Sequence, residues 1–309
     1  MRMFPRSFVL LVSLAVTVSA CGDDGSVLVE STGVTTEETS QTSELLPETT
    51  EAAPETTEAA PETTEVPPET TEAAPETTEA APETTEPPPP QVPVLTPFDA
   101  SESHDAPAIE MDVTIPIVSA VPAAAADLMN SLISLQMLAI PSSFRDELAA
   151  SPPPDQPGVS SELVLIYTPR AVLVELLSIR FDVYTYYQGA AHCMSDVFTV
   201  NFDPQTGSTL LLVDILVPGT FPAVAILVEQ RLIDDLYGGD ATEAAAWLPV
   251  IDDIVLRNWA VAPDGLEFSF SQYEVGFGAM GAPTVVIPWA DLVAVISLDG
   301  PAGSTAFGA

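Results

Sequence analysis

From Ala108 onward, apolar and polar positions follow two different periods. Ala108–Ile117 alternates with a period of two, which predicts a strand. Ala123–Ala139 places apolar residues three and four apart and holds no proline, predicting a helix, and Ser142–Ala150 predicts a shorter one. Glu162–Tyr167 and Ala171–Tyr187 are rich in β-branched and aromatic residues and read as strands. Val197–Phe202 and Ser208–Val213 flank Asp203-Pro204-Gln205-Thr206-Gly207, which predicts a hairpin whose glycine is free to take a positive φ. Phe221–Tyr237 returns to helical spacing and stops at Gly238-Gly239. Asn258–Ala262 and Leu266–Ser271 predict a further hairpin around Pro263-Asp264-Gly265. Pro283–Pro288 predicts a last strand, followed by a short helix over Trp289–Val295. Strands arrive mainly in hairpins, with helices as excursions. That order predicts an α+β fold: a mainly antiparallel sheet with packed helices.

Upstream the periodicity disappears. Residues 22–97 contain no Lys or Arg, and the pentapeptide PETTE recurs six times at a period of seven, starting at Pro47, Pro54, Pro61, Pro68, Pro75 and Pro82. A coiled coil is excluded, because each repeat carries a proline and the apolar residues are mostly alanine pairs with no seam. The expectation is a long disordered tether, self-repelling and extended, reaching roughly 230 Å at about 3.1 Å per residue. Its threonines beside proline are candidate acceptors of O-linked sugars.

The first residues carry a targeting pattern. Arg2 and Arg6 precede an apolar stretch at residues 8–20, too short for a spanning helix of about 20 residues and suited to a secretory signal. Val18-Ser19-Ala20-Cys21 resembles the lipobox of bacterial lipoproteins, in which small residues precede a cysteine. That resemblance implies cleavage before Cys21 and a diacylglycerol on its thiol, so the chain is expected outside the cytoplasm, lipid-anchored to the cell membrane or cell surface. The expected organisation is a signal peptide over 1–20, a lipidated Cys and tether over 21–97, and a folded region over 98–309, divided at 98–158 and 159–309.

Charge narrows the partners. The 309 residues include 45 acids and 7 arginines, with no lysine, for a net charge of -38. Nucleic acid is excluded as a partner, since a polyanion needs clustered cations, and anionic lipid headgroups are disfavoured likewise. Residues 98–309 alone hold 27 acids and 5 arginines, a net of -22. Two cysteines form no disulfide framework.

Two stretches bring a family into view. One is Val183-Tyr184-Thr185-Tyr186-Tyr187-Gln188-Gly189-Ala190-Ala191-His192, followed by Asn201-Phe202-Asp203, Thr206-Gly207 and Leu210–Asp214. The other is Gly265-Leu266 with Phe270, then Tyr273-Glu274-Val275, a small-residue loop to Gly281 and a Val-Val-Ile-Pro strand. Together they resemble the C-terminal domain of the RsiV family of extracytoplasmic anti-sigma factors, a domain of unknown function in many secreted proteins. The likeness spans about 160–295, and 108–150 is more weakly similar to the companion part. Gln188 stands where the family has a glycine, Cys193 follows the histidine, and Gly276-Phe277-Gly278 replaces Ala-Pro-Tyr. In those relatives the domain binds lysozyme, so the resemblance implies an extracytoplasmic recognition module. Tyr186, Tyr187, Gly189, His192, Tyr273 and Glu274 are the ligand-binding or motif candidates it supplies. Lysozyme and peptidoglycan fragments are the candidate partners, beside the membrane reached through the lipid.

Set against that, a histidine in a sheet most often satisfies backbone groups, and a thiol beside it on a strand points to the opposite face, so Cys193 is expected as a buried thiol. Gly276-x-Gly278-x-x-Gly281 matches a dinucleotide fingerprint by spacing only, because a β-rich run follows where a helix is required. Asp234-Asp235 and Asp252-Asp253 are expected as solvated surface acids. No GxSxG, HExxH or CxxC occurs. The sequence therefore predicts a non-enzymatic binding or sensing module without metal or cofactor. An envelope glycan hydrolase using unassigned carboxylates, or a structural surface protein, are the alternatives. A deep cleft with paired carboxyls favours the hydrolase, and an exposed aromatic patch near Tyr186 and Tyr273 favours the binder.

Overall fold

The computed structural model describes residues 89–153 and 158–307. The expected signal peptide, Cys21 and the PETTE repeats lie outside the described residues. The described residues form one compact unit. Its layers run helix, sheet, sheet, helix.

The first sheet is built on β3 (Ala108–Ser119), whose alternating pattern buries Ile109, Met111, Val113 and Ile115 on one face. β1 (Val94–Asp99) and β2 (Glu102–Asp105) pair antiparallel with successive halves of β3. Folded structure thus begins at Val94, ahead of the expected residue 98. α1 (Ala123–Met137) and α2 (Ala139–Ala150) then cross over to β4 (Ser161–Val172), which pairs parallel with β3. β5 (Leu177–Tyr186) and β6 (Met194–Phe202) complete the sheet as an antiparallel meander. The fold is α+β with mainly antiparallel pairing, as the pattern predicts.

The helix side of this sheet is apolar. α1 buries Ala125, Met129, Ile133 and Met137, one residue per turn, against Leu163, Leu165, Ile179, Phe181 and Phe202. The expected strand break near Tyr167 is absent, because β4 absorbs Pro169 at a β-bulge and turns only after Val172. The expected hairpin strand at Ser208–Val213 is also absent. Beyond one bridge between Phe202 and Thr209, that chain closes into a 3₁₀ turn at Leu212–Asp214, where Asp214 accepts the Leu211 N–H at 2.7 Å. Gly207 supplies a positive φ of 75° in the Asp203–Gly207 turn after β6, and a Cβ there would meet the Ala125 carbonyl oxygen at 2.7 Å.

The second sheet contains β7 (Trp259–Ala262), β8 (Gly265–Ser269) and β9 (Thr284–Pro288), all antiparallel. α3 (Phe221–Tyr237) covers it, burying Val224, Val228 and Leu232 against Val261, Leu266, Phe268, Val285 and Ile287. The predicted helix after β9 is one turn, α5 (Trp289–Leu292). Leu176, at the β4–β5 turn, inserts into this second core and so joins the two halves.

Between the two sheets lies a polar layer. β5 turns Ser178, Arg180 and Asp182 away from the apolar core, and β8 turns Glu267 and Ser269 toward them. Arg180 donates to Asp182 through Nε at 2.9 Å and Nη2 at 2.6 Å. Its Nη1 reaches Glu267 at 3.4 Å, Ser269 at 3.1 Å and Thr284 at 2.8 Å. Arg170, from β4, pairs with the other oxygen of Glu267, which is only 2% exposed. Ser178 bonds Asn201, Asn201 donates to the Trp259 carbonyl at 2.8 Å, and the Val261 N–H donates to Ser178 at 3.1 Å. β7 contributes only Ala260 and Ala262 to this face, fully buried and small enough to admit the long arginines.

Removing the Glu267 carboxylate leaves two arginines facing a desolvated gap. Glu267→Ala is therefore expected to cost about 3 kcal/mol, and Glu267→Gln less, since it keeps a hydrogen-bond acceptor. Urea unfolding followed by circular dichroism checks this, and equal midpoints for wild type and Glu267→Ala would refute the assignment.

Candidate functional site

The motif candidates separate onto different faces. Tyr187 leaves the end of β5 toward the helices, stacks at 5.1 Å on Phe144 of α2, and donates its hydroxyl to Glu147. Tyr186, one residue earlier, points to the other side of the sheet. Gly189 provides a positive φ of 87° in the turn after β5. Burial of Tyr187, reinforced by the neighbouring Glu147 carboxylate, pushes its phenol well above the ordinary tyrosine range. Tyr187 thus ties the β5 end to α2 and stands apart from the other motif residues.

His192 lies in an exposed loop, outside any strand. The expectation that it satisfies backbone groups within the sheet is corrected in part: its Nδ1 lies 2.9 Å from the Cys193 carbonyl oxygen, and its Nε2 lies 3.3 Å from the Tyr273 hydroxyl. The two rings sit 6.1 Å apart. Cys193 is half-buried with a free thiol, instead of buried as expected, because the chain there has left the sheet.

Tyr273 sits at a φ of 70°, a left-handed conformation that a bulky side chain rarely adopts. Holding it there costs on the order of 1–3 kcal/mol and requires neighbours that over-determine the backbone. Those neighbours are visible. The Gln272 N–H donates to the Ser195 carbonyl at 2.8 Å, and its side chain donates to the Gly278 carbonyl at 2.7 Å. Glu274 accepts the Ser271 N–H at 2.8 Å and the Arg257 guanidinium at 2.6 Å. Glu274 is therefore a bracket of the loop. The Tyr273 ring lies over Gly278, where a Cβ would come within 2.3 Å of it, so the glycine makes room for the tyrosine.

Past Gly278 the surface continues as Phe277, whose ring meets Trp247 edge-on at 5.7 Å. Tyr273, Trp247 and Phe277 are 51%, 47% and 38% exposed. Tyr273 and Phe277 of the loop between β8 and β9, paired with His192 of the β5–β6 loop and Trp247 from the turn after residues 241–244, thus form a solvent-facing aromatic strip. Neither Trp247 nor Phe277 is among the sequence-derived candidates; with Gly276-Phe277-Gly278 in place of Ala-Pro-Tyr, Phe277 and a tryptophan distant in sequence supply aromatic rings at this loop.

The glycine fingerprint forms no dinucleotide site: Gly278–Met280 is a 3₁₀ turn followed by β9. Asp235 pairs with Arg231 at 2.8 Å, and Asp252 accepts the Ile254 and Val255 N–H groups, each at 3.0 Å. Glu110 and Glu162 are cross-strand partners lining an open depression on the first sheet with Glu102 and Asp112. An apolar cleft of about 380 Å³ lies between α1, β6 and residues 209–213, with Asp253 and Arg257 among its lining. Among the described residues, no group of three or more His, Cys, Asp or Glu side chains is placed to hold a metal ion.

Residues 214–290 match the family described as "Protein of unknown function (DUF3298)". The matched span contains α3, the second sheet and three residues of the aromatic strip. No curated protein matches the chain. Among solved structures, a DUF3298 family protein from Pseudomonas aeruginosa PAO1 is 15% identical, with 69% of this chain and 95% of that one covered at a TM-score of 0.48. A DUF3298 member from Bacteroides fragilis NCTC 9343 is 16% identical, with 70% and 97% covered, also at 0.48.

Because its folded-state pKa is raised, Tyr187 contributes stability that is complete below the ordinary tyrosine pKa of about 10 and is lost as pH rises through its own higher value. In a spectrophotometric alkaline titration, the Tyr187→Phe variant is expected to lose none of the phenolate signal that appears first near that ordinary pKa. A smaller first phase in the variant would show that Tyr187 titrates normally.

Proposed function

We propose that the chain is a non-enzymatic binding or sensing module, held outside a bacterial cell by a lipid on Cys21, and that its ligand docks on the aromatic strip. The observation that carries this reading is the strip itself: two exposed ring pairs, Trp247 with Phe277 and Tyr273 with His192, and in the second pair a tyrosine on a strained backbone that the surrounding hydrogen bonds hold in place. Tyr and Trp concentrate binding energy in protein interfaces because they bury much area with few rotatable bonds. Strain retained at an exposed residue also fits a recognition loop better than a packing role.

Two further points support lysozyme as the ligand to try first. The motifs of 183–192 and 265–281 resemble the RsiV-like ectodomain, whose relatives bind lysozyme. A domain of net charge -22 also attracts basic proteins from a distance. Long-range attraction alone is screened by salt, so salt separates steering from a shaped interface.

The test is titration of the full chain with lysozyme at about 50 and about 500 mM NaCl. Binding that survives the higher salt, with Tyr273→Ala and Trp247→Ala each weakening it by about tenfold or more, is the expected result. Tyr273→Gly relieves the strained φ, so its unfolding free energy is expected within about 1 kcal/mol of wild type while its affinity falls. Binding that disappears at the higher salt, or is indifferent to both alanine variants, removes lysozyme as the ligand of the strip and moves the search to peptidoglycan fragments.

A further inference from the structure

A second surface lies on the other side of the short helix α4 (Ala241–Ala244) and the turn after it. That segment directs Trp247 to Phe277 of the strip, while Ala244, Ala245 and Leu248 face α3 across a groove of about 700 Å³. α3 answers with Ala225, Ile226 and Ile233. Ile226 is 65% exposed and Val250, on the opposite wall, 83%. An apolar floor open to water in an otherwise acidic domain marks a contact surface.

The charge around the groove selects what fits it. Glu229 and Asp252 line it, and Asp234, Asp240 and Glu243 belong to the same two segments. The sequence has no lysine, and each of the five arginines among the described residues already meets a carboxylate: Arg145 with Glu102, Arg170 and Arg180 with Glu267, Arg231 with Asp235, Arg257 with Glu274. Among the described residues no arginine pairs with Glu229 or with Asp252, whose Oδ1 caps the Ile254 and Val255 N–H groups, so a cationic occupant is the one that complements the charge of the groove. We infer that this groove takes a basic amphipathic segment of a protein partner, apolar residues on the Ile226–Val250 floor and Lys or Arg against Glu229 and Asp252. This goes beyond the function proposed above, whose ligand docks on the strip.

A synthetic helical peptide of leucine and lysine, about 14 residues long, is the probe, with a twin carrying glutamate for lysine. Calorimetric titration of the full chain at about 150 and about 500 mM NaCl gives the affinities. The lysine peptide is expected to bind with at most about a tenfold loss at the higher salt, and the glutamate twin to show no binding. Ile226→Asp is expected to weaken it by about tenfold or more, and Glu229→Gln by severalfold with a shallower salt dependence. Ile226 is largely exposed, so its variant keeps the fold, which its circular dichroism spectrum checks. Equal binding of the two peptides, complete loss at the higher salt, or indifference to Ile226→Asp would each overturn the inference. So would a concentration-dependent dimer that Ile226→Asp abolishes, since the groove would then belong to a second copy of the chain.

Discussion

Glu267 is the pivot of this fold. Its carboxylate is buried between two sheets and holds one arginine from β4 and one from β5, so the second sheet seats on the first in one position only. An apolar interface of the same area would tolerate sliding by a residue pair. A buried ion pair contributes little net stability after desolvation, yet its geometry penalises every other docking. The Ser178–Asn201–Trp259 bonds serve the same end at the other side of the interface. Both apolar cores then close around a polar middle layer.

The candidate site inherits its position from that docking. The edge of β6 is met by side chains from the second half: Asn258 accepts from the Thr199 N–H, Ser271 from Val197 and Gln272 from Ser195. These contacts satisfy the backbone donors of an otherwise open strand edge, which protects it from pairing with another chain. The same contacts fix Ser271 and Gln272, and so the turn that carries Tyr273. A shift between the sheets would separate His192 from Tyr273 and release the strained φ. The β8–β9 loop and the sheet docking are therefore one mechanical unit.

Much of the architecture was legible where a buried face repeats. α1, α3 and β3 appear in the sequence because each has one apolar side and one wet side, and the β7–β8 hairpin because two strand-like runs flank Pro263-Asp264-Gly265, although both of its faces are buried. β1 and β2 were not legible, since nearly every residue of these edge strands is exposed and no alternation marks them. Glu267 failed for a subtler reason. Gly265–Ser269 alternates as a half-exposed strand should, and a glutamate at a polar position reads as facing water. The face opposite its core meets another sheet, and only the partner arginines, 97 and 87 residues away in sequence, make burial affordable. Trp247 joined the strip through the same kind of long-range contact, whereas Tyr273 was visible from its motif.

Charge allocation then links fold to recognition. A chain with five cations in its folded part uses two of them on one buried glutamate and the other three on partly exposed carboxylates. Among the described residues every arginine is thus paired with a carboxylate, and the acids in excess give the domain a net negative field, strongest at low salt. A field of one sign steers ligands without choosing among them. Choice falls to the few places where apolar or aromatic side chains break the acidic surface, because contact there outlasts the screening that erases the field. Repulsion between acids would loosen a domain held only by surface ion pairs. Here the most buried pair lies between the sheets, where salt has little access, so the docking that shapes those places is insulated from the conditions that govern approach.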